Sequence, residues 1–171
     1  MNPQLELSHL QGGSTKDAKP GGLGLVQFSI RCPCNAQVVL ERCKEVMFQV
    51  ANNTMEPWPS TEVWETTLPN WFVSTCAPEV SNAESERWLS WWRSLPSEQQ
   101  AQAVSEKQWT LRAWVYWFQR DQRNWFWWDA RIENDSCLQI FLQVDDWPCA
   151  MGAFEWLMRA SGGLEVVESE G

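Results

Sequence analysis

The side chains with chemistry to offer are few, and most are carboxylates. Asp129 lies in Trp125-Phe126-Trp127-Trp128-Asp129-Ala130-Arg131-Ile132, and Asp145-Asp146 follow the returning stretch Cys137-Leu138-Gln139-Ile140-Phe141-Leu142-Gln143-Val144. Two carboxylates flanking an aromatic cleft are what glycoside hydrolysis uses. Each also has a plainer role, Asp146 at the start of a helix and Asp129 paired with Arg131 or Arg123. His9 is the only histidine, so any Ser-His or Cys-His pair has to use it. It is expected to be an ordinary surface side chain. Cys32-Pro33-Cys34 with Cys43 offers three sulfurs, but no second cysteine pair or nearby histidine closes a tetrahedral metal site. Cys34 stands where a helix start would favour a thiolate, and nothing else supports redox work. Gly12-Gly13 and Gly21-Gly22-Leu23-Gly24 lack the spacing and the lysine of a phosphate loop. No catalytic residue, metal or cofactor is assigned.

The two stretches alternate with period 2, the pattern of a hairpin buried on one face. Phe126, Trp128, Ala130 and Ile132 are expected to share the buried face with Leu138, Ile140, Leu142 and Val144. Pairing even with even positions calls for an odd loop such as Glu133-Asn134-Asp135, with one residue in the left-handed region. The other face then carries Trp125, Trp127, Asp129 and Arg131 beside Gln139, Phe141 and Gln143. Aromatic residues and Arg rimmed by polar groups match the composition of protein interfaces. Trp125, Trp127, Asp129, Arg131, Gln139 and Phe141 are therefore the partner-binding candidates. The alternative is that a helix or the Trp-rich loop covers Trp125, Trp127 and Phe141. Arg120-Asp121-Gln122-Arg123-Asn124, at the edge of this face, reads as a solvated connection.

Residues 1–24 read as a flexible N-terminal segment, with a short strand over 4–10 as the alternative. A strand over 25–31 directs Val26, Phe28 and Ile30 inward. Asn35 caps a helix to about residue 50, whose stripe is Val39, Cys43, Val46, Met47 and Val50. Four prolines between 57 and 78 predict loops around one short helix, with Trp58, Trp64, Trp71 and Phe72 as anchors. Ser81-Asn82-Ala83-Glu84 is a capping box that opens a helix carrying Trp88, Leu89, Trp91, Trp92 and Leu95. A second helix opens at Ser97, polar at first, with a break expected near Trp109-Thr110. A last helix is expected from Asp145-Asp146-Trp147-Pro148 to about residue 160, stopped by Gly162-Gly163. Residues 164–171 read as an acidic, frayed tail. The fold class is α+β: a small antiparallel or mixed sheet, N-terminal strand plus C-terminal β-hairpin, packed against several Trp-rich helices in a single domain over 25–163.

A net charge of −9 argues against nucleic-acid binding, which needs clustered Lys and Arg. With no apolar run near 20 residues and no signal-like start, the chain is expected to be soluble and cytoplasmic, off the membrane, with its six cysteines as free thiols. The expected function is a non-catalytic intracellular protein-interaction module of adaptor, inhibitor or immunity type. Its partner is another protein or a second copy of itself. The alternative is a small-molecule or carbohydrate-binding domain, or a hydrolase using Asp129 with Asp145 or Asp146.

Overall fold

A computed structural model describes residues 2–12, 19–33, 35–54 and 57–169. The sheet grows from β1 (Gly24–Arg31), where Phe28 and Ile30 alternate inward as the pattern demands. It pairs antiparallel with β3 (Cys137–Val144) along its whole length, from Gly24↔Val144 to Arg31↔Cys137. With β2 (Trp125–Asn134) and β4 (Glu165–Glu168), the four-stranded antiparallel order is β2-β3-β1-β4. The fold is α+β, with a buried Trp and Phe cluster on the inner face.

The β2–β3 hairpin departs from plain alternation twice. Its turn is the two residues Asp135-Ser136, not the expected odd loop, and no described non-glycine residue has positive φ. Asn134 Oδ1 accepts from Ser136 N at 3.0 Å and closes the turn. Glu133 is the extra residue that keeps Ile132↔Leu138 and Ala130↔Ile140 in even-with-even register. The second bulge is Trp128, between Trp127↔Leu142 and Asp129↔Phe141. A bulge inserts one residue and so exchanges the faces of the strand beyond it. Trp125 and Trp127 therefore join the core at 1% and 0% exposure, and Phe126 faces outward opposite Gln143. Four consecutive aromatic residues leave both faces apolar, so polarity alone cannot reveal where the phase changes.

The helices supply the rest of the core. In α2 (Ala36–Asn52), Asn35 Oδ1 accepts from Gln37 N and Val38 N at 2.9 and 3.3 Å. Its stripe Val39, Cys43, Val46, Met47 and Val50 is buried as its spacing requires. The proline-punctuated region holds two short helices, α3 (Thr61–Thr67) and α4 (Asn70–Thr75), which bury Trp64 and Phe72. Next come α5 (Asn82–Arg93), α6 (Ser97–Glu106) and α7 (Leu111–Tyr116). The expected break lies between α6 and α7, where Thr110 caps α7 by accepting from Ala113 N at 3.2 Å. The final helix, α8 (Gly152–Ala160), starts later than expected, because Asp146 accepts from the adjacent Trp147 N at 2.8 Å instead of capping a helix.

Both termini are better ordered than their composition suggests. Residues 3–10 form α1 (Pro3–Leu10), a helix and not a strand, opened by Asn2 accepting from Gln4 N. It lies against α2 and β2 and buries Glu6, Leu7, His9 and Leu10. Thus the described part of the segment expected to be flexible is packed structure; 13–18 lie outside the described residues. After α8, Gly162 takes φ +109°, which only glycine adopts without strain. The chain then returns as β4 on the free edge of β1, with Leu164 N donating to Arg31 O and Ser169 N to Gln27 O, both at 2.9 Å. Most of the described part of the supposed tail is an edge strand, clamped by the Arg31–Glu165 ion pair at 3.1 Å; 170–171 lie outside the described residues. Among the described residues, no helix is long and apolar enough to cross a membrane.

Candidate functional site

Residues 77–112 leave the body of the protein and return to it as a helical arm. At the base, Ala77 and Thr110 form a parallel bridge, and Ala77 N donates to Trp109 O at 2.9 Å. Glu79 accepts from Arg112 N at 2.9 Å and pairs with the Arg112 guanidinium at 3.2 Å, while Arg112 also donates to Val80 O. These bonds fix where α5 begins. The capping box then starts the helix: Ser81 N donates to Glu84 Oε2 at 2.8 Å and Ser81 Oγ accepts from Glu84 N at 3.3 Å. Hydrogen bonds from Ser81 hold the Glu84 carboxyl below its usual range.

Nothing on α5 is buried. An isolated helix of this length is marginal in water and normally needs tertiary packing of its apolar face. Here that packing is supplied only in part by α6. Trp92 Nε1 donates to Gln100 O at 3.1 Å, and Gln100 Nε2 donates to Leu95 O at 2.9 Å. Trp88 stacks on Trp92 with centroids 6.3 Å apart and leans on Trp91 at 6.2 Å. Gln99, Gln102 and Ala103 of α6 line a cleft of about 460 Å³ that remains open beside Trp88 and Trp91. Trp91 stays 50% exposed and Leu89 40% exposed. Covering the open half of one Trp is worth about 2–3 kcal/mol, at roughly 25 cal/mol per Å².

A second cleft, about 590 Å³, opens at the base of the arm between Val80, Trp88, Lys107, Trp109, Arg112 and Tyr116. The Lys107 ammonium lies 3.6 Å from the Trp88 ring centroid, so this pair is a wall common to both clefts. Desolvation pushes the Lys107 pKa down.

The residues singled out from sequence are only partly brought together. Asp129, Arg131, Gln139 and Phe141 do share the outer face of the sheet, by the pairs Asp129↔Phe141 and Arg131↔Gln139. Trp125 and Trp127 do not join them, being core residues past the Trp128 bulge. The polar groups on that face are paired with one another. Arg131 sits 5.0 Å from the Phe141 ring centroid and 3.6 Å from Asp129 Oδ2, Gln139 donates to Glu133, and Ser29 bonds Ser169. The result is a solvated sheet face whose partners are mostly its own.

The carboxylates are spread out. Asp145 follows β3, four residues on from Phe141, the partner of Asp129, a backbone offset of about 13 Å along the strand at ~3.3 Å per residue. Glycosidase pairs stand roughly 5–9.5 Å apart. Asp145 accepts from Gln143, Asp146 serves a local turn, and neither Asp129, Asp145 nor Asp146 lines the clefts of the arm. Burial pushes the Cys43 thiol up to about 12 and the Cys76 thiol up to about 11. Cys34 is outside the described residues. Among the described residues, no three His, Cys, Asp or Glu side chains gather as a metal site.

Sequence reasoning missed a buried polar cluster on α1. Glu6 Oε1 accepts from Arg123 Nη2 and, at 2.8 Å, from Trp127 N, so a carboxylate caps the outer edge of β2 beneath α1. Arg123, expected in a solvated connection, is 3% exposed at its side chain and also donates to Trp125 O at 3.0 Å. His9, expected at the surface, is 3% exposed and packs on the bulged Trp128 with ring centroids 4.3 Å apart. Desolvation lowers its pKa, opposed by Asp129, the Trp128 backbone and Glu6. No local rule joins positions 6 and 123, so the sequence carries no signal for this pair.

The chain matches no protein-family model, no curated protein and no solved structure.

Proposed function

We propose that the protein is a non-catalytic interaction module that binds a protein partner, a second copy of itself included, through the α5–α6 arm. The observation that carries the reading is α5, a helix with no buried residue that bears Trp88, Leu89, Trp91 and Trp92. Interfaces are enriched in Trp and Arg, and Trp is among the residues that most often dominate binding energy. Arg87 and Arg93 on the same helix supply the polar rim. The module acts in the cytoplasm, where the free Cys32, Cys43, Cys76, Cys137 and Cys149 stay reduced. The sheet face bearing Asp129, Arg131, Gln139 and Phe141 is the weaker surface, since its polar groups are already paired.

Photo-crosslinking tests the placement. A benzophenone side chain at position 91 is expected to yield a discrete adduct in extracts of the producing cell, or a dimer of the chain itself. The same group at position 141 is expected to yield none. Adducts at 141 alone would return the interface to the sheet.

A further inference from the structure

The cleft at the base of the arm has a different character from the open Trp surface of α5. Its volume of about 590 Å³ lies in the range of small-molecule sites, roughly 300–1,000 Å³. Three aromatic side chains, Trp88, Trp109 and Tyr116, contribute to its wall. The cleft is held open by the base itself: the Ala77–Trp109 backbone bond and the Glu79–Arg112 pair fix its sides. A preformed apolar cleft needs few polar groups to orient a ligand.

Those polar groups are mostly committed. The Arg112 guanidinium is held by Glu79 and the Val80 carbonyl, and the Thr110 hydroxyl caps α7. Lys107 is different. Its ammonium lies over the Trp88 ring, and among the described residues it has no carboxylate within ion-pair distance. Desolvation lowers its pKa. One uncommitted cation beside an aromatic cleft calls for one anion; polyphosphates would need several.

We propose that this cleft binds a small amphiphilic monoanion, a planar aromatic or apolar body bearing a single carboxylate. The body lies against Trp88, Trp109 and Tyr116, and the carboxylate takes the Lys107 ammonium from the face of Trp88. No covalent step is involved. The site shares Trp88 and Lys107 with the cleft of the protein-binding reading, but Trp91 and Leu89 do not line it.

The test is isothermal titration calorimetry of the full chain with 1-naphthoate and with uncharged 1-naphthylmethanol. The expected result is one site per chain that binds 1-naphthoate at least fivefold more tightly than the alcohol. Lys107→Met keeps the stem and is expected to make the two affinities equal. Ala113→Leu fills the cleft from α7 and is expected to abolish both, while thermal melts of the two variants match the parent. Trp91→Ala is expected to leave the titration unchanged. Absence of binding at millimolar probe overturns the site. Equal affinity for the two probes in the parent chain overturns the anion assignment. Binding indifferent to both Lys107→Met and Ala113→Leu places the ligand elsewhere and overturns it too.

Discussion

The open face of the sheet and the helical arm both show aromatic rings to water, and they do it in opposite ways. On the sheet, Phe141 lies under the Arg131 guanidinium, Asp129 holds Arg131, and Glu133 takes Gln139. Each polar group is satisfied by a neighbour on the same face, and antiparallel sheets commonly keep one such face in water. On the arm, Trp91 and Leu89 stay about half exposed, and the groove beside Trp91 is lined on the α6 side by Gln99, Gln102 and Ala103. Exposure alone therefore does not mark an interface. What marks it is apolar surface that the protein's own groups leave unserved.

The comparison extends to tryptophan as a residue. Trp64, Trp114, Trp125 and Trp127 are wholly buried, and Trp114 Nε1 donates to Ala153 O at 2.9 Å. Trp127→Ala is expected to cost about 3–5 kcal/mol, the usual range for removing a buried aromatic side chain. Urea denaturation measures it, and a loss below about 1 kcal/mol would mean that Trp127 is not core. Glu6→Ala is expected to cost about 3 kcal/mol, because Arg123 is then left buried without its counter-charge. The same denaturation series reads it, and proteolysis should detect earlier release of α1.

A smaller effect follows from His9. Its folded pKa lies below the ordinary 6.5, chiefly through desolvation. The unfolded chain thus binds the proton more readily than the folded one. His9 stabilisation is full above pH ~6.5 and falls as the pH is lowered from there towards the folded pKa. His9→Phe is expected to flatten stability between pH 6.5 and 5, measured by chemical denaturation at each pH. A slope unchanged by the substitution would clear His9 of any part in it.

The smallest effects separate the two surfaces. Arg131→Ala is expected to change stability by no more than about 0.5 kcal/mol, as for most exposed pairs. Trp91→Ala is expected to change it as little, yet to remove a large share of the tryptophan fluorescence that iodide quenches. Trp127→Ala, by contrast, should leave the quenchable fraction intact wherever the chain remains folded.

How far the sequence reveals these arrangements depends on how local their causes are. α2 is legible because Asn35 caps it and one stripe faces the core, and α5 because Ser81 and Glu84 form a box in four residues. The row Leu138, Ile140, Leu142 and Val144 is legible because Gln139 and Gln143 mark the opposite face. Trp125-Phe126-Trp127-Trp128 carries no such mark, so the bulge that decides which indoles are buried stays hidden. α1 is hidden for another reason: Glu6 and His9 look like surface residues until Arg123 and Trp128 arrive from more than a hundred positions away. β4 looks like an acidic tail because Glu165 and Glu168 flank its two valines, while the edge of β1 that recruits it is distant in sequence. The candidate surface follows the same division. The aromatic content of α5 is plain from its residues, and its lack of cover is a property of the whole fold.

The measurement that bears most directly on the central claim is a binding isotherm with the protein crosslinked at position 91, purified and titrated into the parent chain, Trp91→Ala and Phe141→Ala. The account predicts that Trp91→Ala weakens binding at least tenfold, the loss of a Trp hot spot, while Phe141→Ala binds as the parent does. Equal binding by the parent and Trp91→Ala, with loss in Phe141→Ala, would contradict it and place the interface on the sheet.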